Sequence, residues 1–248
     1  LKVYLTSVTE QFATISLNGP KSRDLMNKLV NEYDFSSNDF PHMSFKNIVF
    51  DNIQCRVMRI SFTGELCYEI NIPSSYAKSL WEKCINLGKE YNITPYGTEA
   101  MHVLRAEKGF IIVGQETDGS VTPIDLDMEW IISKKKYDFI GKRSLSRADT
   151  IKDDRKQLVG ITTKDPKEIL EEGVQLVETV TNLPMKMVGH ITSSYYSPNL
   201  GRSFALALVK SGLKKKGLKL YAPIPGKTVE VQITNPVFID PKNERLKN

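Results

Sequence analysis

The sequence predicts two architectures in series: an α+β unit of the split βαβ type, then a small antiparallel β-barrel or sandwich. Three observations predict it. In the first ninety residues, β-branched runs are interrupted by two stretches with helical spacing. From Gln157 onward, short β-branched runs are punctuated by Gly and Pro. Between these textures, residues 143–154 are charged and end poor in apolar side chains, closing on Asp153-Asp154-Arg155-Lys156. A boundary near residue 150 follows, giving domains at 1–150 and 151–248.

In chain order, residues 2–7 and 13–17 are short β-branched runs that read as strands. Asn18-Gly19-Pro20 turns the chain into a helix over about 22–30, with Leu25, Met26, Leu29 and Val30 on one face. Residues 34–43 are polar and loop-like. Strands are expected at 47–50 and 54–62 across an Asp51-Asn52 turn. A third, at 66–72, completes a hairpin across a tight Thr63-Gly64 turn. Pro73-Ser74-Ser75 opens a second helix, with Ala77, Leu80, Trp81, Cys84 and Ile85 at helical spacing. Thr98 offers a hydroxyl to cap a third helix ending near Gly109. Gly114, Gly119 and Pro123 then bend the following loop back over that helix. Beyond the boundary, strands are expected at 158–162, 175–177, 187–192, 204–209, 219–221 and 229–233.

Composition narrows the classes. A length of 248 residues is ample for a sizeable core in one large or two ordinary domains. The formal charge of +5 is mild, and much of it sits in two runs, Lys134-Lys135-Lys136 and Lys214-Lys215-Lys216, which read as solvated faces. No basic stretch is interleaved with aromatics, which sets nucleic acid aside. Cys55, Cys67 and Cys84 lie in apolar patterns without metal-ligand spacing, so they read as reduced core thiols, and a cytoplasmic location is expected. No apolar run approaches a membrane span and no signal peptide is recognisable. Leu1 already enters a strand-like run, as the start of a piece of a longer polypeptide would.

Polar groups concentrate in Tyr96-Gly-Thr-Glu-Ala-Met-His-Val-Leu-Arg-Ala-Glu-Lys-Gly109 and in the loop 114–123. Any ligand floor is expected there. Arg105 can clamp a carboxylate or a ring edge bidentately, or pair with a neighbouring or loop carboxylate. In Arg59-Ile-Ser-Phe-Thr-Gly-Glu65 a turn projects a carboxylate beside an aromatic, Phe62. Such a carboxylate accepts two parallel N–H bonds, from an arginine or from the 2-amino group and ring N–H of a pterin, on which Phe62 can stack. An ordinary solvated turn glutamate has the same spacing. His102 and His190 read as structural, and no Ser, Cys or His falls in a nucleophile motif. Asp118, Asp125, Asp127 and Glu129 cluster without a calcium-loop pattern and read as solvated loop carboxylates. No Gly-rich loop fits a dinucleotide or a nucleoside triphosphate.

At these residues a family resemblance emerges. Arg-Ile-Ser-Phe-Thr-Gly-Glu-Leu-Cys-Tyr-Glu-Ile at 59–70 resembles the Tyr-Thr-Gly-Glu-x-Gly-x-Glu segment of the glycine-cleavage T-protein (aminomethyltransferase) family. Leu104-Arg-Ala-Glu-Lys-Gly109 resembles its Leu-Arg-Leu-Glu-Ala-Gly, and residues 192–209 look like its C-terminal barrel signature. Within the family, the chain is similar to the C-terminal part of α subunits of heterotetrameric sarcosine oxidases, through 96–109, 114–123, 133–136, 140–147 and 155–160.

The resemblance implies a ferredoxin-like half of a T-protein folate-binding domain, followed by the barrel. It implies tetrahydrofolate as cofactor, with Glu65 gripping the pterin, Phe62 supplying a stacking face and Arg105 facing the folate or bracing its site. Flavin and NAD are expected only on partner subunits or domains outside this chain. The implied partners are the β, γ and δ subunits of sarcosine oxidase and the N-terminal part of the α subunit. The implied reaction is capture of the one-carbon unit of oxidised sarcosine as methylenetetrahydrofolate, and the chain alone is expected to be inactive. Two departures stand out: Met101 replaces a further family arginine, and the family's essential aspartate lies upstream of anything in this chain. A free-standing aminomethyltransferase is the alternative. Another is a non-catalytic folate-binding scaffold of the kind tied to iron–sulfur upkeep, although Lys108-Gly-Phe-Ile-Ile-Val-Gly-Gln-Glu116 lacks that group's cysteine.

Overall fold

In the computed structural model, which describes residues 2–181 and 183–247, strand β1 (Phe12–Asn18) leads through a turn into helix α1 (Ser22–Leu29). The meander β2 (Phe45–Phe50), β3 (Ile53–Met58) and β4 (Cys67–Pro73) follows, and then helix α2 (Ala77–Gly88). The sheet order is β1-β4-β3-β2, antiparallel at every pairing. Leu25, Met26 and Leu29 of α1 and Leu80 and Cys84 of α2 share one core with Ile48, Val57, Tyr68, Ile70 and Ile72 of the strands. Period-2 burial in the strands and 3.6-residue burial in the helices meet in that single layer, as the apolar spacing requires.

The expected turn at Asp51-Asn52 is present: both residues take positive φ, 48° and 64°. A two-residue hairpin with right-handed twist demands that conformation. The next turn differs from expectation. β3 ends at Met58, and the connection to β4 is an eight-residue loop, 59–66, in place of a tight turn at Thr63-Gly64. The cause is Arg59. Its side chain is buried, its guanidinium donates to the carbonyls of Phe40 at 3.1 Å and Leu246 at 3.0 Å, and its backbone pairs with Ser44 and Met43 while the β3–β4 pairing stops at Met58. Residues 2–7, expected as a strand, have no regular structure. β-propensity alone does not make a strand without a neighbour to pair with.

Helix α3 spans Thr98–Glu107, with Thr98 as its first helical residue and not its cap. Gly109 stops it in the left-handed region at φ +72°, and a Cβ there would lie 2.8 Å from the Pro236 carbonyl oxygen. Position 109 therefore admits only glycine.

The second half is all β. Strands β5 (Lys156–Thr163), β6 (Gln175–Val177), β7 (Met187–Ser197), β8 (Arg202–Lys210), β9 (Lys219–Ile224) and β10 (Lys227–Thr234) close into an antiparallel barrel in the order β10-β5-β8-β7-β6-β9. All six expected strands are present, most of them longer than their β-branched cores. Ala205, Ala207 and Val209 of β8 fill the barrel interior with Val159, Ile161, Leu176 and Ile191. Phe204, Leu206 and Leu208 of the same strand point outward into a second core with Ala106, Leu126 and Leu158. Burial on both faces makes β8 a continuous apolar run. A short helix, α4 (Glu244–Lys247), ends the described chain.

The chain divides into two compact units, residues 2–102 with 240–247 and residues 103–239; the dividing point falls inside α3, upstream of the composition change near residue 150.

Candidate functional site

In the first unit, the loop 59–66 carries Phe62 and Glu65, both half-buried. Its shape is set from three sides. Gly64 takes φ +83° and its N–H donates to Ser61 Oγ at 3.1 Å. Thr63 Oγ1 donates to Asn18 Oδ1 at 2.9 Å, and Asn18 Nδ2 donates in turn to Tyr96 OH at 2.5 Å, so the loop is tied to the end of β1 and to the segment before α3. Burial raises the Tyr96 hydroxyl pKa, keeping it neutral and able to donate or accept.

The third side is the C-terminal segment. Asp240 accepts the Glu244 N–H at 2.8 Å and the Arg245 N–H at 3.1 Å, which starts α4. Arg245 Nη1 then meets Glu65 Oε1 at 2.5 Å, with the glutamate side chain 21% exposed and the arginine 52%. Among the described residues no hydrogen bond reaches Oε2. A carboxylate offers about four lone-pair sites, so Arg245 fixes its orientation and leaves most of its acceptor capacity for a donor fork. Glu65 is thus neither a simple hairpin-turn residue nor a fully solvated one.

Met101 lines a neutral groove of about 380 Å³ together with Ile15, Leu17, Trp81, Ile85 and Tyr96. No cation among the groove's lining residues replaces the missing arginine side chain.

Arg105 belongs to the second unit and is fully buried. Its Nη1 donates to Glu116 Oε2 and to the Phe110 carbonyl, both at 3.0 Å, and its Nη2 donates to Ser193 Oγ of β7 at 2.6 Å. Ser193 in turn donates to Glu116 Oε1, and Glu116 Oε2 also accepts the Ile112 N–H at 2.8 Å. Glu107 repeats the device farther along β7, accepting from Ser197 Oγ at 2.5 Å and from Asn199 Nδ2 at 3.1 Å. The Leu-Arg-Ala-Glu segment therefore staples the end of α3 and the loop 110–117 to β7. In the buried network, Arg105 Nε and Thr192 Oγ1 have no hydrogen-bond partner among the described residues.

Two of the clustered acids, Asp125 and Asp118, are engaged by hydrogen bonds within the chain. Asp125 is buried and accepts from Arg155 at 2.6 Å and from Thr122 N and Oγ1 at 2.8 Å. The Thr122 bonds close a capping box. Burial raises the Asp125 pKa, but the Arg155 and Thr122 bonds outweigh it and hold the carboxyl below its ordinary value. Asp118 caps Ser120. Among the described residues no group of three or more His, Cys, Asp or Glu is placed to hold a metal. Cys55, Cys67 and Cys84 are free and buried, with burial pushing the Cys67 thiol up to about 12 and Cys84 to about 11.

Comparison with known proteins bears on what these networks serve. The family described as "GCVT N-terminal domain" matches residues 2–136, more than half of the chain. The chain belongs to the glycine-cleavage T-protein family. The "Glycine cleavage T-protein C-terminal barrel domain" matches residues 156–240, on the closed barrel. The sarcosine oxidase subunit alpha of Corynebacterium sp. (strain P-1) is 52% identical over 99% of this chain, and that of Rhizobium meliloti (strain 1021) is 37% identical over the same share. The chain spans about a quarter of the length of these relatives, 26% and 25%. An aminomethyltransferase of Thermoanaerobacter sp. (strain X514) is 29% identical over 96% of this chain and 62% of its own length. The crystal structure of the glycine cleavage system aminomethyltransferase T from Bartonella henselae superposes with a TM-score of 0.78 at 21% identity, over 96% of this chain and 61% of that one; it shares the fold.

Sequence reasoning did not single out Arg245 as the partner of Glu65, Arg59 as an anchor of the loop 59–66, or Glu116 and Ser193 as the partners of Arg105. Glu116 carried the only local signal, in Gly114-Gln-Glu116. Arg245 lies 180 residues from Glu65, and no local pattern joins them.

Proposed function

We propose that this chain is the tetrahydrofolate-binding portion of a sarcosine oxidase α subunit. It would hold the folate that takes up the one-carbon unit of oxidised sarcosine. The reading is supported by similarity to sarcosine oxidase α subunits across 99% of the chain and by family membership. The observation that carries the site assignment is Glu65, half-buried, oriented by Arg245 and with Oε2 unengaged among the described residues.

The residues present fit such a ligand. Glu65 accepts the 2-amino and ring N–H fork of a pterin, since its remaining lone pairs match two donors. Phe62 offers a half-buried aromatic face for stacking. Arg105 braces the loop 110–117 within the second unit. Bound folate would supply two nitrogens that accept a methylene group, turning the imine of sarcosine into glycine and methylenetetrahydrofolate. The oxidation that makes the imine is assigned to a flavin on a β subunit, with γ and δ completing the assembly. By itself the chain forms no peroxide from sarcosine. The domains at 1–150 and 151–248 are the folate half-domain and the barrel, and the proposed location is cytoplasmic. Among the described residues no helix is long and apolar enough to cross a membrane.

A free-standing aminomethyltransferase is the second reading, favoured by the aminomethyltransferase relative and the shared fold. One experiment separates them. The protein purified from its source is assayed for methylenetetrahydrofolate formation from sarcosine, with and without flavin-bearing partner chains, and from an aminomethylated lipoyl carrier. Turnover of sarcosine only with the flavin partner supports the first reading; turnover of the carrier substrate alone replaces it with the second.

A further inference from the structure

The segment 128–147 is the least explained surface of the second unit. Trp130 is 78% exposed, Tyr137 96% and Ile140 105%, the last as open as an isoleucine in an extended peptide. Ile131, Phe139, Ile140 and Leu145 border a shallow cavity of about 370 Å³, with Lys136 at its rim. Several large apolar side chains this exposed within one short segment, beside an apolar cavity, mark an interaction site.

Charge identifies the occupant. Residues 128–147 hold Lys134, Lys135, Lys136, Lys142, Arg143 and Arg147 against Glu129 and Asp138, a net of +4 in a chain whose whole formal charge is +5. The local acids do little to neutralise them. Lys134 lies 3.9 Å from Glu129, and Lys142 turns to the carbonyls of Lys136 and Tyr137. Among the described residues, Lys135, Lys136, Arg143 and Arg147 have no side-chain ion pair. An apolar centre with an aromatic and a cationic rim matches the anatomy of a protein interface whose other half is acidic.

We propose that the surface from Trp130 to Arg147 docks the acidic face of a different polypeptide, a partner subunit. This rests on the reading above that the chain works in a multi-subunit enzyme. Ile140 and Tyr137 would enter an apolar recess of the partner, and Lys134–Lys136 would face its carboxylates. The same run of lysines that reads as a solvated face in the sequence is then the rim of an interface.

The test uses the native protein, purified under mild conditions from its source through a tag on this chain. Lysine acetylation by sulfo-NHS-acetate is followed in the intact complex, with Lys78, 86% exposed on its side chain, as the internal reference. A zero-length carboxyl–amine coupler is then applied. We expect Lys134, Lys135 and Lys136 to react about tenfold more slowly than Lys78, as 1.4 kcal/mol of protection implies. We also expect coupling of these lysines to Asp or Glu of another chain, and loss of that chain from Ile140→Asp/Tyr137→Asp protein with an unchanged melting temperature. A complex in which the three lysines react as fast as Lys78 overturns the proposal. So does coupling only within the same polypeptide, or protection that nuclease removes. A native protein of one kind of chain overturns the multi-subunit reading itself.

Discussion

Arg105 and Glu116, eleven residues apart, meet at 3.0 Å with neither side chain exposed to solvent. Two charges taken out of water are tolerated only where their remaining hydrogen-bonding capacity is met. Here Ser193, Phe110 and the Ile112 N–H meet most of it. The pair therefore fixes how the end of α3, the loop 110–117 and β7 sit on one another within the second unit.

Removing one partner leaves the other charge buried alone. Glu116→Ala is expected to lower unfolding free energy by about 3–5 kcal/mol, read from urea or guanidinium midpoints. Arg105→Met with Glu116→Leu should cost clearly less than the sum of the two single changes. Additivity within about 0.5 kcal/mol would mean that the two residues are not coupled.

The Glu65–Arg245 pair predicts the opposite balance of binding and stability. Both side chains are partly exposed, so the pair adds little to stability. Glu65→Gln keeps the size but replaces one acceptor oxygen with two hydrogens, stranding a donor at about 1.5–3 kcal/mol per charged hydrogen bond. Tetrahydrofolate binding by the protein purified from its source, followed by calorimetry, should weaken about tenfold or more, with no change in melting temperature. Arg245→Ala should weaken it less, since it frees the carboxylate without removing it. Unchanged affinity in well-folded Glu65→Gln protein would return Glu65 to an ordinary loop glutamate.

Asp125 predicts a pH dependence. Its folded pKa lies below the ordinary aspartate value. Its contribution to stability is therefore complete above about pH 4 and is lost as pH falls through the folded value. Asp125→Asn should lower the urea midpoint at about pH 6, and the difference from the parent protein should shrink steadily as the pH falls below about 4. Parallel profiles at every pH would show that the Arg155 contact does not discriminate the ionised form.

Residues 147–155 are mostly exposed turns with Ile151 bare to solvent, so limited proteolysis should nick there first. A protected C-terminal piece beginning near Arg155 is expected in denaturing gels. Under native conditions the fragments should co-elute, because Leu158 and Leu208 of the barrel share a core with Ala106 and Leu126. Cleavage spread evenly through the barrel would count against the domain assignment.

Much of the fold was legible because it follows from local rules. Leu25, Met26 and Leu29 recur at helical spacing and are buried as one face. Asp51-Asn52 is a turn because both residues tolerate positive φ, and Gly109 ends α3 for the same reason. The barrel strands carry enough β-branched residues between Gly and Pro breaks to be counted correctly. The misreadings occur where a distant partner overrules a local preference. Residues 2–7 have strand-like composition but no strand beside them. Residues 59–62 look like more of β3, yet the pairing with β4 stops at Met58 and the Arg59 side chain is buried against the carbonyls of Phe40 and Leu246.

Glu65, Phe62 and Arg105 could each be picked out from the chain itself, because a carboxylate beside an aromatic and an arginine before a helix end are local facts. Their partners come only from tertiary structure. Arg245 reaches Glu65 across 180 residues, and Ser193 reaches Arg105 across 88. Whether a charge faces solvent or a buried counter-charge depends on which strands and helices close over it. Chain closure of that range leaves no trace in local spacing.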